Sequence, residues 1–96
     1  MTYPRKIVLH CSRGYETRLA PLVEEFIRSG VTFVGVVGPD CARVETIIDE
    51  LVVGNGSRDY HILTSSHPEE SIEDAVRFAE SLAGDFHGEV QIVKLQ

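Results

Sequence analysis

Cys11 and the residues that follow it are the part of this chain best equipped for chemistry. An apolar run, Ile7-Val8-Leu9, leads into His10-Cys11-Ser12-Arg13-Gly14-Tyr15-Glu16-Thr17-Arg18, and a helical pattern begins at once. A loop between a strand and a helix gathers backbone N–H groups, and with the positive end of the helix these favour a bound phosphate or a thiolate. Ser12, Gly14 and Thr17 would form the cradle, with Gly14 free to take the backbone angles a tight anion loop needs. Arg13 or Arg18 would neutralise the charge, and the same surroundings would acidify the thiol. Cys11 is therefore the candidate nucleophile, and Ser12, Arg13, Gly14, Thr17 and Arg18 are candidate anion ligands.

His67, in Thr64-Ser65-Ser66-His67-Pro68-Glu69-Glu70, is the second choice. A histidine there can hydrogen-bond a bound anion or act as an acid near neutral pH. Ser66 or Ser71 as a helix cap explains much of that segment without any function. Cys41 reads first as a small apolar residue in the first turn of a helix, and only second as a redox partner for Cys11. His10 faces away from the cysteine by strand alternation and is expected to pack under a helix, with His61 and His87 also structural by default. Cys11, Cys41 and His67 would supply three metal ligands only if their loops met, so neither a metal nor a cofactor is expected.

The elements that must position these residues follow from the apolar periodicity. Residues 6–11, 31–37, 60–65 and 89–95 read as strands. Between the first two, Leu19, Leu22, Val23, Phe26 and Ile27 recur at helical spacing, with Gly30 at the C-terminal cap. Pro21 fixes the start of this helix, because proline is tolerated only in the first turn, and Thr17 or a residue just after it should be the N-cap. Val44, Ile47, Ile48, Leu51 and Val52 form a second helical stripe between Asp40 and Gly54. A third runs from about Ser71, with Ile72, Ala75, Val76, Ala79, Leu82 and Ala83 inward and Gly84 past its end.

Strict alternation of strands and helices implies right-handed crossovers. The expected fold is a single α/β domain over residues 1–96: a three-layer, doubly wound, flavodoxin- or Rossmann-like sandwich with a four-stranded, mainly parallel sheet and three helices. Strand order 2-1-3-4 is expected, with 3-2-1-4 as the rival. The first order opens a ligand crevice at the carboxyl ends of strands one and three, between the cysteine loop and residues 65–70.

Composition excludes several classes. The 96 residues are 43% hydrophobic and 25% charged, with a formal net charge of −6, and the scattered basic residues make no stripe for nucleic acid. The short apolar runs argue against membrane insertion and a signal peptide. Two cysteines without a ligand pattern read as free thiols, and a cytoplasmic location follows.

The stretch HCSRGYETR resembles the cysteine phosphatase signature, but six residues rather than five separate Cys11 from Arg18, so phosphatase activity is not expected. KIVLHCSRGYETRLA resembles the start of enzyme IIB domains of the lactose/cellobiose type in the sugar phosphotransferase system, through Cys11, Ser12, Gly14, Thr17 and Leu19. That resemblance implies a cysteine phosphorylated by a partner's phosphohistidine, which passes the group to a sugar in a membrane permease. Residues 34–56 and 62–80 resemble small bacterial domains of uncharacterised function, which implies no activity. Three functions stay open: a domain binding a small anion or a protein partner above strands one and three, a phosphocarrier acting through Cys11, and a structural or regulatory homodimer.

Overall fold

The computed structural model describes residues 3–11, 18–54, 61–82 and 88–95. Seven elements follow in order: β1 (Lys6–Cys11), α1 (Leu19–Ser29), β2 (Phe33–Val37), α2 (Cys41–Val53), β3 (Leu63–His67), α3 (Ile72–Glu80) and β4 (Val90–Leu95). The strands form one parallel sheet in the order β3-β2-β1-β4. The α/β sandwich with three helices is as expected; the strand order is the rival one.

The polarity of β3 explains the order. A strand at the centre of a parallel sheet is covered on both faces and needs a nearly continuous apolar run. β1 and β2 meet that demand, with Ile7, Val8, Leu9, Phe33, Val34 and Val36 all fully buried. β3 reads Leu-Thr-Ser-Ser-His, and in the order 2-1-3-4 its Thr64, Ser65 and Ser66 would sit mid-sheet. At the edge they remain partly exposed. β4, with Gln91 and Lys94, takes the other edge.

The order also sets the layers. Two right-handed crossovers in one direction, β1 to β2 to β3, place α1 and α2 on the same face, and the return from β3 across the sheet to β4 places α3 on the other. Ile7, Leu9, Cys11, Val34 and Val36 accordingly pack with Leu19, Val23 and Phe26 of α1 and Val44, Ile48 and Val52 of α2. Val8, Phe33 and Val37 pack with Ala75 and Ala79 of α3.

The helix ends differ in how they are held. α1 starts after Arg18, the residue following Thr17, without a side-chain cap, and ends at Gly30 in the left-handed conformation. Asp40 occupies the N-cap position of α2 without making a side-chain capping bond. α3 has a complete capping box, in which Ser71 Oγ accepts from the Asp74 N–H and the Asp74 carboxylate accepts from the Ser71 N–H. Among the described residues, no helix is long and apolar enough to cross a membrane.

Candidate functional site

Cys11 closes β1 on the face covered by α1 and α2, and it is 1% exposed within their apolar core. Burial pushes its thiol up to about 11, because a thiolate there would lose its hydration. That is the opposite of the acidification expected from a cysteine in an anion loop. Ser12, Arg13, Gly14 and Thr17, the proposed cradle, lie outside the described residues. Arg18 stands immediately before α1. Cys41, at the start of α2, is buried in the same cluster as Cys11, and both are free thiols. His67 lies on the opposite face of the sheet, so the three groups considered as metal ligands do not meet.

The expected pairing of strands one and three is also corrected. β2 lies between them, which separates β1 from β3 by about 10 Å, twice the spacing of neighbouring strands. The strand order reverses between β1 and β4, so the topological switch point falls there instead.

What the sheet does build at its carboxyl end is a cleft of about 400 Å³ across the ends of β1, β2 and β3, on the α3 side. His10, Gly38, Pro39, Pro68, Glu69 and Glu70 contribute to its wall. The parallel register aligns His10 with Val37 and Val37 with His67, so β1 brings His10 into this region rather than under a helix. The His10 Nδ1 atom is buried and has no hydrogen-bond partner among the described residues. The turn after β2 lies hard against the end of β1. A Cβ on Gly38, whose φ is +129°, would stand 2.2 Å from the Cys11 carbonyl oxygen, so no other residue fits there without moving backbone.

His67 is the last residue of β3 rather than a loop residue, and it is 6% exposed. Its Nδ1 lies 2.7 Å from Glu70 Oε1 and its Nε2 lies 2.7 Å from Ser65 Oγ. A carboxylate only accepts, so Nδ1–H donates to Glu70; in the neutral imidazole Nε2 is then bare and accepts the Ser65 hydroxyl proton. The turn that returns Glu70 to the ring puts Glu69 at φ 63°, a left-handed conformation uncommon for a residue with a Cβ. Beneath the imidazole, a Cβ on Gly35 would come within 3.3 Å of Nε2 and 3.2 Å of the Phe33 ring, so glycine there leaves the two rings their room. Phe78 of α3 completes the enclosure, its ring edge-on to His67 at 5.2 Å.

Sequence reasoning singled out His67 and missed its two partners. The signal was present: Ser65 and His67 are two apart, hence on one face of any strand that contains both. It was obscured by ending the third strand at residue 65.

Residues 2–95 match the model of a domain of unknown function, DUF7684. The chain belongs to the DUF7684 family. This match supports the resemblance to uncharacterised domains and lends nothing to the enzyme IIB resemblance. No curated protein and no solved structure matches the chain.

Proposed function

We propose that this DUF7684 domain is a ligand-binding module that holds a small organic molecule in the cleft above β1, β2 and β3. The observation that carries the proposal is the His10 Nδ1 atom, buried and without a partner among the described residues, in a residue of the cleft wall. Buried polar atoms are normally hydrogen-bonded, and a solitary one at a concave site is accounted for by a ligand that supplies the missing partner. The wall also carries the Glu69 and Glu70 carboxylates beside Val37, Pro39 and Pro68. That lining favours a molecule with an apolar body and a cationic or hydrogen-bond-donating head over the small anion expected from the sequence.

A fragment set divided among cations, neutral donors and anions, screened by amide chemical shifts, tests this. Saturable shifts centred on His10, Gly38 and Glu70, with cations and donors preferred and His10→Phe abolishing them, are expected. Hits that are mainly anionic, or that gather elsewhere, would overturn the proposal.

A further inference from the structure

Ser65, His67 and Glu70 stand in the relation of nucleophile, base and orienting carboxylate. Both hydrogen bonds of the chain are 2.7 Å long, and the tautomer imposed by Glu70 leaves Nε2 ready to take the serine proton. Three further features separate this arrangement from a histidine that merely needs its nitrogens satisfied. Ser65 lies on an edge strand and is only partly buried, so the residue keeps part of its surface in solvent. Leu63 N–H donates to the Thr32 carbonyl at 2.9 Å, so by strand alternation Leu63, Ser65 and His67 turn their amides toward β2 and Ser66 turns its N–H to the open edge. An amide donor from the residue after the nucleophile is thus directed outward, where a developing oxyanion can accept from it. Finally, Leu63 and Phe78, 47% and 43% exposed, leave apolar surface on the same side of the sheet as the hydroxyl.

We propose that Ser65, His67 and Glu70 form an acyl-transfer site that hydrolyses small esters bearing a short apolar acyl group. Ser65 Oγ attacks the ester carbonyl carbon as its proton passes to His67 Nε2. The tetrahedral adduct collapses, the bond to the alkoxide breaks, and the leaving alkoxide takes that proton to depart as the alcohol. Water then attacks the acyl-serine, giving a proton to Nε2; the Oγ–acyl bond breaks, Ser65 recovers a proton from His67, and the carboxylic acid leaves. Glu70 is a positioning residue that fixes the ring and its tautomer. The site shares Glu70 with the carboxyl-end cleft but does not require a ligand there.

A fluorophosphonate probe, which forms a stable bond only with an activated nucleophile, tests the assignment on the full chain, with intact mass and peptide mapping as readout. One equivalent on Ser65 is expected, absent in Ser65→Ala, together with hydrolysis of p-nitrophenyl butyrate that falls by roughly a hundredfold or more in the same variant. His67→Gln removes the base from a buried position, so Glu70→Gln, at a half-exposed side chain, guards against a loss that is only misfolding. In Glu70→Gln the probe reaction slows at unchanged melting temperature, and the downfield proton resonance of the imidazole Nδ1–H disappears. No adduct, an adduct on another residue, or a labelling rate indifferent to Glu70→Gln would overturn the proposal.

Discussion

The two faces of the sheet are made from alternate residues of the same strands, yet they are built on different principles. On the face covered by α1 and α2, Ile7, Leu9, Cys11, Val34 and Val36 meet two apolar helix stripes, and among the described residues no charged side chain is buried there. On the other face a single helix, α3, covers the middle of the sheet. That face carries Lys6, His10, Ser65 and His67. Two helices cover more of four strands than one does, and at the carboxyl end the α3 face gathers His10 and His67. Stability is concentrated on the first face and chemistry on the second.

The contrast can be tested at its strongest point by Phe26→Ala. Phe26 is fully buried in the two-helix core and meets Tyr3 edge-on at 5.0 Å. Truncation removes a ring that the surrounding helices cannot collapse to replace, and a loss of about 3–5 kcal/mol in denaturant unfolding is expected. A loss below about 1 kcal/mol would mean that this face is not the main source of stability.

A smaller effect is expected from Lys6→Met on the α3 face. Lys6 is 1% exposed, and its Nζ donates to the Ala79 carbonyl at 2.8 Å, in the last turn of α3. The ammonium there is favoured by the negative end of the helix, and its bond pins α3 to β1. Methionine keeps the apolar stem and loses the charged bond to a carbonyl that still accepts from the Leu82 N–H at 3.2 Å, but it also relieves the burial of a charge, so the two terms offset in part. A net loss of about 1–2 kcal/mol is expected, read from the same unfolding curves. A cost equal to that of Phe26→Ala would erase the distinction between the faces.

Smaller again is Ser71→Ala, which removes the capping bond to the Asp74 N–H at 3.1 Å. α1 and α2 begin without a side-chain cap, whereas α3 depends on one. A short helix that buries only Ala75 and Ala79 fully has little packing to hold its first turn. A loss of about 1 kcal/mol is expected, with hydrogen exchange accelerated in α3 and unchanged in α1.

The same contrast explains what was legible in the sequence. β1 was readable to the residue, and α1 to within a residue at each end, because burial on the apolar face leaves a periodic signature that Pro21 and Gly30 punctuate. β3 was not, because this edge strand pairs with β2 through its backbone and carries mostly polar side chains, and Thr64-Ser65-Ser66-His67 looks like a loop when only apolarity is read. That misplacement hid the relation between Ser65 and His67, and it also let the wrong strand order stand. Alternation alone suggests that His10 packs under a helix. Alternation gives its face correctly, but it does not show that a cleft opens there at the carboxyl end of the sheet.

Cys11 is where a residue type and its place in the fold disagree most, and it yields the smallest expected effect. The sequence sets it at the mouth of an anion loop; the fold turns its side chain into the sealed face, where burial raises its pKa to about 11. Alkylation by iodoacetamide near neutral pH should therefore be slow and indifferent to added phosphate. The pH dependence has a definite sign. A thiol whose folded value lies above the ordinary 9.0 keeps its proton in the native state after the unfolded chain has lost it. Its contribution to stability is then complete below about pH 9 and declines as the pH rises toward 11. The stability of the wild type should fall over that range more than that of Cys11→Ala. Rapid labelling near neutral pH, slowed by phosphate, would restore the thiolate and its cradle and move the chemistry of this domain to the other face of the sheet.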